Sequence, residues 1–301
     1  MEHWDEGVYA IRGKGAAGAL PLILSAGVHG DETAPVQVLE WLQSQLLERT
    51  LIPQRPVLLI VANLPALLNG KRFMQTNMNR LFGAPVRPPG HETKRSLALE
   101  QHCRDFADLH GVGWHLDLHS TIKPSHHAHF ALMPACERHY DDAWAPLFAS
   151  HGLTALVRQQ SPAYTFSNFT CTKLGFESFT LECGAVRGSS ADVPDVLKPL
   201  LLALLQEAPF AQPGNATLQR YRVAIDLVKR SEQFRFLVDE QCDNFTVFPK
   251  DMPLAQDGDT MVSAPCDACA LLFANSQVPV GDRAGLVLTP EAETSSYIAG
   301  E

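Results

Sequence analysis

A chain of 301 residues with 46% hydrophobic and 19% charged side chains can bury a large core, which excludes a disordered polypeptide and suits one large domain with a smaller one. Its formal net charge of −9 argues against nucleic acid or an anionic membrane as principal partner, and no apolar stretch reaches transmembrane length. The acidic start, Met1 to Glu6, lacks the order of a signal peptide, and seven scattered cysteines fit reduced thiols, so a cytoplasmic protein is expected.

Through the first two-thirds, strand-like and helix-like segments alternate, as in a mixed, mainly parallel α/β sheet flanked by helices. Strands are predicted at residues 21–26, 57–63, 114–118, 128–133, 155–159 and 178–182. Helical spacing puts Val36, Leu39, Leu42 and Leu46 on one face of residues 34–48, and Leu99, Cys103, Phe106 and Leu109 on one face of 94–109. A leucine-rich helix is predicted at 195–206. Two prolines and a glycine between Ala208 and Asn215 mark a linker, which divides the chain into 1–211 and 212–301. Short β-like runs follow at 221–228, 245–248, 270–274 and 285–288, read as a small C-terminal β domain.

The first strand breaks at Gly27 and delivers His29 and Glu32. A histidine and a carboxylate three apart on a turn can converge on one metal ion, Zn²⁺ above all. The pattern alone is weak: 12 His and 16 Glu in this length give about 0.6 His-x-x-Glu matches by chance. His3/Glu6 is a second match, without a preceding strand, and is read as accidental. A third ligand is available from Asp117-Leu118-His119-Ser120. His115 would share the face of His119, so spacing cannot choose between them, although the end of the apolar run after Leu118 favours His119. Each residue also has a bland explanation. A strand histidine is commonly hydrogen-bonded in a core, and Glu32 suits the first turn of a helix. Asp117 fits a local turn contact better than support of a ligand histidine. His126, His127 and His129 straddle a loop and a strand, which argues against ligation. Cys266-Asp267-Ala268-Cys269 has no second pair, which argues against a redox or structural role.

In open α/β sheets, ligands bind outside the carboxyl ends of the strands. His29/Glu32, Asn63, His119 and Glu182 all fall at predicted ends, and this coincidence is more specific than any one motif. A glutamate closing an apolar strand has few structural reasons to be there, which makes Glu182 the candidate general base and proton shuttle, with Gly184 letting substrate approach the backbone. In the polar segment 70–82, Arg72 and Arg80 can grip carboxylates and Asn79 can add an amide hydrogen bond. Arg72 can also stabilise an oxyanion, and Lys123 and Arg187 can extend the basic lining. Standing alone, that segment would be read as a solvated loop.

Four stretches together carry a resemblance: Ser25 through Pro35 around His29-Gly30-Asp31-Glu32, Lys71-Arg72 through Asn79-Arg80-Leu81-Phe82-Gly83, Trp114 through His119, and Thr180-Leu181-Glu182-Cys183-Gly184. Their order and spacing resemble the succinylglutamate desuccinylase/aspartoacylase family, nearest its bacterial desuccinylases, and the likeness extends into Arg283-Ala284-Gly285-Leu286. The resemblance implies a zinc-carboxypeptidase-like α/β domain with an appended β domain. It makes His29, Glu32 and His119 ligands of one zinc ion and Glu182 the general base. It also implies that Arg72 assists at the carbonyl and that Asn79 and Arg80 bind substrate carboxylate. Hydrolysis of N-succinylglutamate to succinate and glutamate, in arginine catabolism by the succinyl route, is the implied activity. Another N-acyl acidic amino acid such as N-acetylaspartate is the alternative within the class, ahead of a metallocarboxypeptidase. A metal-free, non-catalytic binding module is the alternative outside it. The expected partner is a small anionic acyl-amino acid, with a homo-oligomer left open.

Overall fold

The computed structural model describes residues 1–15, 18–186, 193–206, 208–210 and 217–291. The predicted division at 211/212 therefore lies outside the described residues. An antiparallel hairpin that periodicity did not announce comes first, β1 (Glu2–Asp5) and β2 (Val8–Ile11). Then follow β3 (Leu22–Ala26), α1 (Thr33–Leu47), β4 (Val57–Val61), the short α2 (Leu64–Leu68) and α3 (His91–His110). Next are β5 (Trp114–Thr121), β6 (His129–Met133), α4 (Trp144–Ser150), β7 (Ala155–Arg158), α5 (Phe166–Leu174), β8 (Glu177–Ala185) and α6 (Val193–Leu204). The remainder is all strand: β9 (Gln219–Val228), β10 (Arg235–Phe236), β11 (Thr246–Phe248), β12 (Pro253–Asp257), β13 (Thr260–Ser263), β14 (Cys269–Leu272) and β15 (Arg283–Pro290).

Among the described residues, twelve strands form one sheet in the order β1-β2-β4-β3-β5-β8-β6-β7-β9-β15-β14-β11, and β10-β12-β13 form a second. The sheet is mixed, as expected, with parallel pairs at its centre. One parallel block is β4-β3-β5-β8 and another is β6-β7-β9, and they meet antiparallel at β8/β6. The reason is a short link. Residues 122–128 between β5 and β6 are too few for the crossover a parallel return would need, so β6 turns back. The C-terminal strands β9, β15, β14 and β11 continue this sheet. Strand β9 pairs in parallel with β7 from Ala155↔Gln219 to Arg158↔Arg222 and carries the main sheet onward.

Helices cover the sheet on both faces. Helix α1 sets Val36, Leu39, Leu42 and Leu46 against Leu22, Leu24 and Leu116, and α6 adds Leu197, Leu200, Leu201 and Leu204 to the same cluster. Ile23, Leu58 and Ile60 point the other way and pack with Leu99, Cys103 and Phe106 of α3 and Phe166 and Phe169 of α5. Full burial of each such side chain contributes about 1.5–3 kcal/mol, so the central strands are the rigid part of the molecule. The functional residues project from that part. Register places Ser25 beside Asp117, Asp117 beside Thr180, and His119 beside Glu182.

Candidate active site

The turn after β3 is pressed against α2. A Cβ on Gly30 would lie 2.2 Å from the backbone of Ala66 and Leu67, so only glycine allows the approach. Glu32 immediately precedes α1, yet it is 2% exposed and turns inward, away from the solvated first-turn position that a helix dipole would explain. His119 lies one strand over on β5. Neither His119 nor Glu182 closes its strand as predicted: β5 continues to Thr121 and β8 to Ala185, with a register shift just after His119.

His29, Glu32 and His119 come together. Nδ1 of His29 lies 2.8 Å from Glu32 Oε1, and Nδ1 of His119 lies 2.9 Å from Glu32 Oε2. The far nitrogens are held as well: His29 Nε2 is 3.0 Å from Asn77 Oδ1, and His119 Nε2 is 2.9 Å from Asp117 Oδ2. An oxygen on each Nε2 orients both rings with Nδ1 toward the same carboxylate, the outer arrangement that metal-binding histidines use. Among the described residues these three form the group that can hold a metal ion, their donor atoms within 4.8 Å of one another. Further bonds to Glu32 come from the Ser120 N–H at 3.0 Å and Arg72 Nη1 at 2.9 Å.

The charges follow from this crowding. Burial alone would raise Glu32, but His29 and His119 overcome it and hold the carboxyl well below its usual range. Burial would lower His119, but Asp117 and Glu32 raise it well above an ordinary histidine. Burial lowers His29, against the pull of Glu32. Glu182 is different. Its Oε2 is buried without a hydrogen-bond partner, and burial, abetted by Glu32 and Asp117 against His119 and Arg72, pushes it up to about 7. A carboxylate oxygen left free in a cavity beside three metal-capable groups is suited to exchanging protons.

The 70–82 segment is anchored and is not a free surface loop. Buried Glu92 on α3 accepts from Met74 N at 2.6 Å and Gln75 N at 3.2 Å. Asn77 accepts from Asn79 N at 3.0 Å as well as meeting His29. Asn79 Oδ1 accepts from Phe166 N at 3.0 Å, which ties the segment to α5, while its Nδ2 makes no bond among the described residues. Arg72, Asn79 and Arg80 line one cavity of about 350 Å³ together with the three metal-capable residues and Glu182. Burial, with Arg283 nearby, lowers Arg80 to about 10.

Other predicted residues fall elsewhere. His115 is a core residue, bonded to Ser25 Oγ at 2.8 Å and Thr170 Oγ1 at 2.7 Å, which settles the choice that spacing left open. Asp117 supports a site histidine after all. Its other oxygen accepts from Ser25 at 2.6 Å, and the predicted turn contact is set aside. His127 contacts Thr154 and Tyr221, and none of His126, His127 and His129 joins the cluster. His3 lies against Tyr9 in the hairpin, the rings tilted by 44°. Cys266 and Cys269 are free thiols, 3.3 Å apart. Gly184 does not line the cavity; its φ of +71° serves the backbone path of β8. Lys123 does line it, whereas Arg187 lies outside the described residues. Sequence reasoning missed Asn77, Glu92 and the whole wall supplied by the C-terminal strands. The Asn-rich text of 77–79 was the available signal for Asn77; nothing local marked the others.

Residues 19–208 match the succinylglutamate desuccinylase/aspartoacylase catalytic domain, and residues 216–291 match the AstE/AspA barrel-sandwich hybrid domain. A succinylglutamate desuccinylase of Shewanella pealeana is 33% identical over 307 residues, covering 98% of this chain and 89% of that one. One from Pseudomonas aeruginosa is 34% identical over 299 residues, covering 96% and 90%. The crystal structure of the Vibrio parahaemolyticus succinylglutamate desuccinylase superposes with a TM-score of 0.85 at 29% identity, covering 94% of this chain and 86% of that one. With a catalytic-domain match that spans both β3 and β8, and with relatives alike over nearly its whole length, the chain belongs to the succinylglutamate desuccinylase/aspartoacylase family.

Proposed function

We propose that the protein is a zinc-dependent amidohydrolase of zinc-carboxypeptidase-like fold that cleaves N-succinylglutamate to succinate and glutamate. The observation that carries the reading is the partnerless Glu182 oxygen in one cavity with His29, Glu32, His119 and the arginines Arg72 and Arg80. The names of the relatives favour succinylglutamate over other acyl-amino acids.

Two imidazole nitrogens and one carboxylate oxygen suit zinc and leave it a position for substrate. When bound there, zinc supplies Lewis-acid polarisation of the amide carbonyl and lowers the pKa of water. Glu182 takes a proton from the attacking water at Oε2 and returns it to the departing glutamate nitrogen as the C–N bond breaks, leaving the hydroxyl on the succinyl carbon. Arg72 offers positive charge to the oxyanion, and Asn79 with Arg80 fixes a substrate carboxylate. Asp117 and Asn77 keep the two imidazoles in place. In this reading the enzyme works in the cytoplasm, in arginine catabolism by the succinyl route.

The test is kinetic and analytical together. Purified protein should carry about one zinc per chain. Chelation should abolish hydrolysis, and added zinc should restore it. The kcat/KM should be higher for N-succinylglutamate than for N-acetylaspartate; the reverse order would refute the substrate, and an active metal-free protein would refute the mechanism.

A further inference from the structure

The far wall of the cavity is not built by the α/β elements. It comes from the loops at 240–244 and 273–278 and from the start of β15. Lys123 pins this wall by donating Nζ to the carbonyl of Glu240 and, at 2.6 Å, to that of Ala274. Asn244 reinforces it, donating its backbone N–H to Pro124 O at 2.9 Å and accepting Phe273 N at Oδ1, also at 2.9 Å.

Arg283 faces the cavity from that wall. Its Nη1 lies 3.5 Å from Asp226 Oδ1 on the neighbouring β9, which aims the guanidinium without fully neutralising it. Arg80 lines the same cavity from the α/β side and makes no ion pair among the described residues, only a 2.8 Å bond to the carbonyl of Asn79. The two guanidiniums are close enough that Arg283 makes Arg80 easier to deprotonate, with the Asp282 carboxylate opposing it. Two cations from separate parts of a chain of net charge −9 converge where burial already penalises both. Such an arrangement is stable when an anion completes it.

The substrate of the proposed reaction carries three carboxylates. Arg72 is engaged with Glu32, and Arg80 with Asn79 serves one carboxylate. We propose that Arg283 binds a second, one of the two chain-end carboxylates (succinyl or glutamate side chain), so that the C-terminal strands select substrates anionic at both ends. This assignment rests on the activity proposed above.

Binding in the zinc-loaded Glu182→Gln protein, measured by calorimetry, tests it without turnover. The ligands are N-succinylglutamate, N-butyrylglutamate, which lacks the succinyl carboxylate, and N-succinylglutamine, which lacks the side-chain carboxylate. Adding Arg283→Gln should weaken N-succinylglutamate about 10- to 100-fold, and Arg283→Lys should recover part of the loss. For one of the two analogues the penalty should vanish, and that analogue identifies the end read by Arg283. Equal penalties for all three ligands, as a merely structural role would give, or no penalty for N-succinylglutamate, would overturn the assignment. If the wild-type enzyme fails to hydrolyse N-succinylglutamate while the carboxylate-dependent penalty persists, the activity is wrong and the Arg283 site stands. No binding of N-succinylglutamate overturns both.

Discussion

Replacing Glu182 by glutamine separates what the side chain does for catalysis from what it does to the fold. Glutamine keeps the shape and cannot accept the proton, so kcat should fall about 10²- to 10⁴-fold while zinc content is unchanged. Stability should move the other way. Buried Glu182 is pushed from an ordinary 4.5 up to about 7. That gap, at about 1.36 kcal/mol per pH unit, sets a ceiling of about 3 kcal/mol on the cost of its charge. Because the folded-state value is raised, stability is full below pH 4.5 and declines as pH rises through about 7. The variant escapes that decline. For a chain of 301 residues, 3 kcal/mol corresponds to about 5 °C in Tm. Metal-free wild type and Glu182→Gln, melted side by side from pH 4.5 to 8, should coincide at the acid end and diverge at the alkaline end with the variant higher. Lower stability of the variant at pH 8, or a difference independent of pH, would refute the argument.

Arg72→Gln should lower kcat about 100-fold in zinc-saturated enzyme with little change in KM; an effect on KM alone would place Arg72 in ground-state binding. Glu92→Ala leaves the N–H groups of Met74 and Gln75 without their acceptor. Urea denaturation should show a loss of about 2 kcal/mol, and kcat/KM should fall as the segment carrying Arg72 and Asn77 loosens; unchanged kinetics would mean the segment is held elsewhere. His115 is lowered by burial from 6.5 to about 4, so the protein gives up stability as pH falls from 6.5 toward 4, by about 3 kcal/mol in full. Metal-free His115→Gln should show a flatter acid limb in urea titrations, and identical slopes would exclude this histidine as the cause.

Legibility in the sequence followed the range of the interactions. Helix α1 and strand β3 were readable because apolar periodicity is a local signal, and the turn bearing His29 and Glu32 lies between them. Asp117 and His115 were ambiguous because both share one face of β5 with His119. Only Ser25 on one neighbouring strand and Thr170 on α5 tell a core histidine from a site histidine. Glu92 carried no local signal, since its partners, Met74 and Gln75, lie in a distant loop. The antiparallel entry of β6 and the pairing of β7 with β9 depend on link length and on strands far apart in sequence, which no local period encodes. Arg283 was quoted as part of a motif, but its place on the cavity wall depends on that same distant pairing.

The parallel seam between β7 and β9 also bears on how the chain is made. Strand β7 ends at Arg158, and β9 does not begin until Gln219, so during synthesis the β7 edge emerges long before the strand that covers it. Until then its unpaired N–H and C=O groups form a template for other chains. A ribosome-bound chain at that stage already holds His29, Glu32, His119 and, soon after, Glu182, but lacks the wall that bears Arg283. The hydrolytic groups are thus made before the wall that carries Arg283. The β7 edge is covered only after the 60 residues between Arg158 and Gln219 have been made.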